Sequence, residues 1–164
     1  MAPVHLPYVD SALAHLDRGG PASWFHHLHW GLYDDPAAGD DSPEAYVEAA
    51  TKLTERVVAA AGVADGRAVL DVGCGFGGTL AHIAARHRRC RLAGLNIDER
   101  QLRWARRLLA PVPPLVVGDG CSLPVAPSSL DHVLAVECVF HFPSRKGFFR
   151  EAARALRPGG TLAL

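Results

Sequence analysis

The stretch VLDVGCGFGG, residues 69–78, decides the fold, because four glycines directly follow an apolar run. Ordering a glycine costs more conformational entropy than ordering any other residue, so this cluster indicates a backbone that something approaches closely. The spacing fits G-x-G-x-x-G, the dinucleotide-binding turn, if Gly78 is the last glycine. It fits G-x-G-x-G if Gly77 is the last, with Asp71 two residues ahead of the first glycine. The two templates predict different ligands, and the rest of the chain has to separate them.

The composition is typical of one soluble globular domain: 164 residues, 49% hydrophobic and 21% charged, with a formal net charge of +0. A neutral balance gives no electrostatic preference for nucleic acid or for an anionic membrane. We expect no membrane span, since no run is long and apolar enough, and the N-terminus lacks the pattern of a signal peptide. The four cysteines have neither C-x-x-C nor zinc spacing, so we expect free thiols and a cytoplasmic location.

From residue 42 onward, helical patterns alternate with short apolar runs. The predicted helices are SPEAYVEAATKLTERVVAAAGV (42–63), GTLAHIAARH (78–87), DERQLRWARRLLA (98–110) and SRKGFFREAARALRPGG (144–160). The predicted strands are RAVLDVG (67–73), CRLAGLNI (90–97), PLVVGD (114–119), LDHVLAVECVF (130–140) and GTLAL, which opens at 160. This alternation predicts an α/β fold with a Rossmann-like, doubly wound parallel sheet. Residues 1–41 are predicted to form a helical and looped cap, and residues 42–164 the ligand-binding domain.

Some element ends carry specific signals. Ser42 is the predicted N-cap of the first of these helices, with Pro43 at its first position. Pro158 and Gly159 are predicted to stop the last helix. The fourth strand is apolar throughout, as strands buried on both faces are.

The position of the glycine turn locates a ligand site, because ligands of open α/β sheets bind beyond the carboxyl ends of the strands. A dinucleotide would bring its pyrophosphate to the next helix N-terminus, where Asp71 would repel it. The same carboxylate attracts a ligand with an ammonium and a sulfonium group, such as S-adenosyl-L-methionine. Asn96 ends the second strand, where a ribose partner is expected. Asp119 ends the third, where a carboxylate can accept from an adenine amino group.

Four segments together resemble the class I S-adenosylmethionine-dependent methyltransferases. They are VLDVGCGFGG, GLNIDERQL (94–102), VVGDGCSLPVAPSSLDHVLAVECVFHF (116–142) and EAARALRPGGTLAL (151–164). Within that class the chain is similar to the small-molecule branch that includes sterol, tocopherol and macrolide-sugar methyltransferases. The resemblance runs from residue 46 to the end, and HHLHWGLYD (26–34) looks like the cofactor-covering segment of that branch.

The resemblance implies a cofactor role for each matched position. The implied contacts are Asp71, Gly73 and Gly75 for the methionine end, Asn96 and Ile97 for the ribose and adenine, and Asp119 with the backbone N–H groups of Gly120 and Cys121 for the adenine. Tyr33, Cys74, Gln101 and Glu137 complete the predicted cofactor-binding set. Most class I enzymes carry an acid where this chain has Asn96. An amide still hydrogen-bonds a ribose hydroxyl, but we expect a weaker contact, for which Asp98 substitutes in part.

Methyl transfer from a sulfonium is an in-line displacement, so the protein mainly aligns the acceptor with the methyl group. An oxygen or nitrogen acceptor also benefits from a base. His141, which follows the fourth strand, and Glu137 are the predicted catalytic residues. A structural role near the cofactor is the alternative for His141, and a loop-anchoring role is the alternative for Glu137.

The histidines of FHHLHW (25–30) are further candidates for the base. With Trp30 and Tyr33 they either close over the cofactor or pack the cap on the sheet. No acid lies at ligand spacing from them, so we predict no metal site. The basic runs RHRRCR (86–91) and RWARR (103–107) are interpreted as solvated helix faces and ends rather than a nucleic-acid surface.

Taken as a set, these features predict a methyltransferase that acts on the oxygen or carbon of a small natural-product or lipid-like metabolite. Nucleic acid is disfavoured as a partner because ECVFHF (137–142) stands where a [DN]-P-P-[YFW] motif would be. The alternative is a truncated or degenerate S-adenosylmethionine-binding protein without turnover. Enzymes of the class have seven strands, so we expect the last two to be missing here and the open sheet edge to allow self-association.

Overall fold

The computed structural model describes residues 6–35, 37 and 40–164. The helices are α1 (Pro7–Asp17), α2 (Pro43–Ala61), α3 (Gly78–Arg86), α4 (Glu99–Leu108) and α5 (Arg145–Ala155), with 3₁₀ helices at Ala22–Phe25 and Val139–His141. The strands are β1 (Ala68–Val72), β2 (Arg91–Asn96), β3 (Leu115–Val117), β4 (Leu130–Leu134) and β5 (Leu156–Ala163). They form one sheet in the order β3-β2-β1-β4-β5, with every neighbouring pair parallel. The predicted Rossmann-like doubly wound sheet is confirmed, and its strand order reverses between β1 and β4.

Helix α2 begins and ends as its sequence predicts. The Ser42 side chain accepts a hydrogen bond from the Ala45 N–H at 3.2 Å, and Pro43 is the first helical residue. Gly62 ends the helix in the left-handed conformation, with φ of 72°. The cap fixes where the apolar face of α2 begins, and that face packs on the sheet.

Side chains of β1 point alternately into two cores, which is why all five of its residues are buried. On one face, Leu70 and Val72 belong to a cluster with Phe148 of α5. On the other face, Val69 belongs to a cluster with Val57 of α2 and other side chains from α2 and α3. Because helices cover both faces, the strand ends are where the sheet is accessible.

Three predicted boundaries are wrong. The fifth strand is predicted to open at residue 160, but β5 begins at Leu156. The fourth strand is predicted to reach residue 140, but β4 ends at Leu134, and the chain after it turns into the 3₁₀ helix Val139–His141. The last helix is predicted to continue to Pro158, but α5 ends at Ala155, and Leu156 already pairs with Leu130 of β4. The register then shifts, so Pro158, which has no N–H to donate, lies in a strand irregularity instead of ending a helix.

Helix α1, from the segment predicted as the cap, lies against the glycine turn. Val9, Leu13 and Leu16 form a buried cluster with Phe76, which is 2% exposed. Arg100 of α4 pairs with Asp10 of α1 at 2.8 Å. The packing therefore places the N-terminal helix over the carboxyl end of β1.

Strand β5 lies at one edge of the sheet, where pairing with a second copy of the chain stays a prediction. Across the residues that the structure describes, no helix combines the length and the apolar character needed to cross a membrane.

Candidate functional site

A cleft opens at the carboxyl ends of β1, β2, β3 and β4. It encloses about 1080 Å³, including space open to solvent. The predicted site residues that line it are Asp71, Gly73, Cys74, Gly75, Asn96, Ile97, Gln101, Asp119, Gly120, Glu137 and His141. Two predicted residues are not in its lining. One is Tyr33, whose side chain is 42% exposed and lies outside the cleft. The other is Cys121, whose N–H donates to Asp119 Oδ1 at 2.8 Å.

The glycines of the turn are required for two different physical reasons. Gly73, Gly75 and Gly77 have φ of 77°, 52° and 88°, a region that side chains disfavour. A Cβ on Gly73 would lie 2.6 Å from Cys138 Sγ, and one on Gly77 would lie 2.8 Å from a Leu109 methyl carbon. A Cβ on Gly75 would meet only the Gln101 amide nitrogen, at 3.6 Å. Packing explains the outer two glycines, whereas at Gly75 the backbone faces open space in the cleft.

Asp71 lies at the base of the cleft and is 2% exposed. Its Oδ2 atom has no hydrogen-bond partner among the described residues. Burial raises the pKa of this carboxyl to about 7. A buried carboxyl oxygen without a partner costs stability, so its position at a cleft fits a cationic ligand group.

Asn96 holds the glycine turn to the start of α4. Its Oδ1 accepts from the Gly75 N–H at 3.2 Å, and its Nδ2 donates to Gln101 Oε1 at 2.8 Å and to the Asp98 carbonyl at 3.2 Å. A carboxylate could not make the two donations, which gives a physical reason for an amide here. Both N–H groups are used within the protein, so a contact with a ligand hydroxyl is left to the Oδ1 lone pairs.

Asp98 follows Asn96 and also lines the cleft. Its carboxylate caps α4 by accepting from the Arg100 N–H at 2.8 Å and pairs with the Arg100 guanidinium at 2.6 Å. Burial opposes ionisation, but the hydrogen bonds from Arg100 outweigh it and lower the pKa of Asp98. An ionised carboxylate, paired with the Arg100 guanidinium, therefore lies beside the end of β2.

Glu137 lies beyond β4 with φ of 44°, uncommon for a residue other than glycine. Its Oε2 accepts from the Trp30 N–H at 2.8 Å. This bond joins the loop after β4 to the histidine-rich segment across the cleft. The contact is the kind that the loop-anchoring interpretation expects of Glu137.

The histidine-rich segment is held against α2. The Thr54 hydroxyl lies 3.2 Å from both His27 Nδ1 and His29 Nε2, and Tyr46 donates to the His27 carbonyl at 2.7 Å. Burial lowers the pKa of His27 to about 3, and the neighbouring histidines add to the effect. Burial also lowers the pKa of His29, although Glu137 opposes it. Both rings are therefore neutral near pH 7.

Sequence reasoning missed Tyr8 of α1, whose hydroxyl oxygen lies 2.9 Å from His141 Nε2. Burial lowers the pKa of His141, and burial, with a smaller contribution from Cys138, raises the pKa of Tyr8. The imidazole is therefore neutral and the phenol protonated near pH 7. These residues are 133 positions apart, and no local signal in α1 marks Tyr8 as a partner of His141.

The charge of the cleft is one-sided. Asp71, Asp98, Asp119 and Glu137 line it, and no lysine or arginine does in the part of the chain that is described. Over the same residues, no group of three or more His, Cys, Asp or Glu side chains could hold a metal ion. The cleft therefore favours ligands that carry positive charge or none.

Known proteins share both the sequence and the fold of this chain. Residues 70–164 match the protein family described as Methyltransferase domain. Methyltransferase GfsG of Streptomyces halstedii is 35% identical over 87% of this chain and 51% of its own length. The 27-O-demethylrifamycin SV methyltransferase of Amycolatopsis mediterranei is 37% identical over 86% of this chain and 51% of its own. The chain thus spans about half the length of these curated relatives.

Among solved structures, the [4+2]-cyclase SpnF superposes with a TM-score of 0.77 at 24% identity, over 94% of this chain and 55% of that one. Geranyl diphosphate C-methyltransferase from Streptomyces coelicolor, in complex with S-adenosyl-L-homocysteine, superposes with a TM-score of 0.74 at 19% identity, over 98% of this chain and 64% of that one. At these identities the likeness concerns the fold alone.

Proposed function

This chain belongs to the S-adenosylmethionine-dependent methyltransferases that share the methyltransferase domain, and we propose that its cleft directs methyl transfer to a small neutral acceptor. The observation that carries the proposal is the glycine turn of β1. There the open backbone at Gly75 lies in the same cleft as the unpartnered Oδ2 of Asp71. When bound, S-adenosyl-L-methionine supplies a methyl group on a sulfonium with its leaving group in place.

The residues of the cleft fit this cofactor better than a dinucleotide. Asp71 can accept from an ammonium group, and among the described lining residues a pyrophosphate would meet this carboxyl and no lysine or arginine. Asp119 uses Oδ1 for the Cys121 N–H, which leaves Oδ2 to accept from an adenine amino group. We assign the ribose to Asp98 and to the free lone pair of Asn96 Oδ1, beside Gln101.

We assign His141 as the general base for a hydroxyl acceptor. When His141 Nε2 donates to the Tyr8 oxygen, Nδ1 of the neutral imidazole is free to take the hydroxyl proton as the new carbon–oxygen bond forms. Tyr8 is a positioning residue, because its phenol lies 2.9 Å from His141 Nε2 and restricts the ring. Glu137 is assigned to anchoring, since one of its oxygens already holds the Trp30 N–H.

Charge and exposure define the acceptor class. With four carboxyl groups and no lysine or arginine in the described lining, the cleft disfavours acceptors with a phosphate or carboxylate. Two aromatic side chains near His141 stay largely exposed: Tyr8 by 44% and Phe140 by 57%. A partly apolar, uncharged molecule with a hydroxyl group matches both properties.

Label transfer from methyl-tritiated cofactor to a panel of neutral phenols and alcohols tests the proposal. Each acceptor is paired with its phosphate ester. We expect transfer to neutral members only. His141→Asn should lower kcat/KM by about 100-fold, because general-base catalysis contributes about that much. Tyr8→Phe should lower kcat with little change in the affinity for S-adenosylhomocysteine.

His87→Asn is the matched control, since it changes a histidine at the C-terminal end of α3, away from the glycine turn at which the helix begins. It should leave transfer unchanged. Binding of S-adenosylhomocysteine without transfer to any acceptor would support the alternative of a binding protein without turnover. Preferential transfer to the phosphate esters, or to RNA or DNA, would contradict the assigned acceptor class.

A further inference from the structure

A second cavity lies at the other end of the sheet from the cleft. This groove encloses about 1700 Å³, including space open to solvent. Its walls are one face of α3, the residues between α3 and β2, the first two residues of β2, the last residue of α4 and the segment 109–114 that follows it. The cleft is at the carboxyl ends of the strands and the groove begins at the start of β2. Leu109 of the groove packs against the glycine turn, since a Cβ on Gly77 would lie 2.8 Å from its methyl carbon.

The floor of the groove is apolar. Leu80 and Leu109 are buried side chains of one core cluster, and Leu92 packs against them. Val112 stands at the side of the groove and is 47% exposed. Leu80 and Leu109 are only 1% and 7% exposed, so the apolar surface that a ligand can cover lies beside them, at Ala85, Pro111 and Val112. Covering this surface gains free energy, which a simple hydrated anion cannot supply. It fits a ligand with an apolar body.

The surroundings of the groove are strongly basic. Segments 80–91 and 103–117 contain seven arginines and no aspartate or glutamate. Carboxylate partners elsewhere pair with three of these arginines, as Arg86–Glu55, Arg89–Asp65 and Arg103–Glu99. Those without a carboxylate partner among the described residues are Arg88, Arg91, Arg106 and Arg107. The positive charge of this region is therefore not balanced locally.

The helix dipole explains why some of these arginines are present, but it does not explain Arg88 and Arg91, the two that line the groove. Arg106 and Arg107 lie in the last turn of α4, where a cation stabilises the helix dipole. Arg106 also donates to the Leu115 carbonyl, and Arg107 lies over the Trp104 ring. Arg88 and Arg91 are outside both helices, exposed, and in the lining of the groove.

We propose that the groove binds a small anionic amphiphile, a single molecule with an apolar body and one anionic head. The body covers the exposed apolar side chains of Ala85, Pro111 and Val112, and the head lies between Arg88 and Arg91. A nucleic acid is a poorer match, because no phenylalanine, tyrosine or tryptophan lines the described groove and could stack on a base. The proposal does not depend on the methyltransferase activity.

Two fluorescent probes with related aromatic ring systems test the proposal. One is 1-anilino-8-naphthalenesulfonate, which is anionic, and the other is N-phenyl-1-naphthylamine, which is neutral. We expect the sulfonate to bind the chain with a stoichiometry of one in the groove and about tenfold more tightly than the amine. Arg88→Glu with Arg91→Glu should remove that preference. Ala85→Trp should weaken the binding of both probes, because the larger side chain fills the groove without changing its charge.

The matched control is Arg56→Glu with Arg150→Glu. It reverses two exposed arginines that line neither cavity. It should bind both probes as the parent does, and circular dichroism checks that every variant is folded. Equal binding of the two probes, or a sulfonate preference that survives in the groove variants, would overturn the proposal. So would arginine-dependent binding to phosphatidylglycerol vesicles in the absence of monomeric probe binding, because the partner would then be a membrane surface.

Discussion

The cleft and the groove carry opposite charge in a chain whose formal net charge is +0. Four carboxyl groups and no lysine or arginine line the described cleft, whereas Arg88 and Arg91 line the groove and no acid does. The difference teaches that a neutral composition does not exclude local electrostatic preferences. A ligand interacts with the charges within about one Debye length of it, and the net charge of the whole chain does not report these local charges.

The largest effect that separates the two cavities is expected in the pH dependence of stability, through Asp71. Burial raises its pKa from 3.8 to about 7, so between these values the folded chain holds a proton that the unfolded chain releases. Rising pH therefore favours unfolding in this range, by up to about 4 kcal/mol for a shift of about three units. The groove, which has no acid in its lining, contributes no such effect.

His27 acts in the opposite direction. Burial lowers its pKa from 6.5 to about 3, so below about pH 6.5 the unfolded chain binds the extra proton and falling pH destabilises the fold. Denaturant unfolding of the parent and of Asp71→Asn, at about pH 4.5 and about pH 7.5, isolates the carboxyl. We expect the parent to lose stability relative to the variant as the pH rises. Parallel pH profiles would show that Asp71 is ionised throughout.

The second effect concerns cofactor affinity. Asp71→Asn should weaken S-adenosylhomocysteine binding by about 100-fold at pH 8, because it removes the carboxylate that faces the ligand's ammonium group. Parent binding should strengthen as the pH rises from 6 to 8 and Asp71 ionises, while binding to the variant should be nearly flat. Asp41→Asn, at an exposed residue outside the lining of both cavities, is the control. Calorimetry measures all three, and unchanged affinity in Asp71→Asn would remove this residue from the site.

The smallest effect is expected from salt. Raising the ionic strength from about 0.05 M to about 0.5 M should lower the affinity of the groove for the anionic probe several-fold. The charges of Arg88 and Arg91 are exposed, so salt screens them. S-adenosylhomocysteine, a neutral zwitterion that meets a buried carboxyl, should change by less than about twofold. Fluorescence titration and calorimetry on the same preparation compare the two. Equal salt sensitivity would mean that the cavities do not differ as described.

The sequence predicts the elements of this fold because their signals are local. Ser42 and Pro43 mark the start of α2, and the glycines that follow β1 mark the turn that the cleft is built on. The errors come from pairing between distant segments. Leu156 leaves the helical pattern because it pairs with Leu130, and the apolar pattern after Leu134 continues beyond the last residue pair of β4 with β5, which is Leu134 with Ala163.

The same distinction holds for the candidate site. Positions next to strand ends, such as Asp71 and Asp119, follow from the motif, and both line the cleft. Tyr8 does not follow from it, because its contact with His141 depends on how α1 packs over Phe76. The motif also does not predict that both N–H groups of the Asn96 amide are used within the protein, because this depends on the side-chain orientation of Gln101. Arg88 and Arg91 look like solvated helix ends until the groove beside them is seen.

Calorimetry of S-adenosylhomocysteine with Gly75→Ala and Gly66→Ala tests the central claim, that the open backbone of the glycine turn is the cofactor site. The two glycines have φ of 52° and 85°, and an added Cβ has no contact closer than 3.6 Å at either, so the variants carry a similar backbone cost. Only Gly75 faces the cleft. We expect Gly75→Ala to lose at least about tenfold in affinity and Gly66→Ala to bind as the parent does, with no binding of NADH by any of the three. Equal affinity of the two variants, or binding of NADH in place of S-adenosylhomocysteine, would contradict the account.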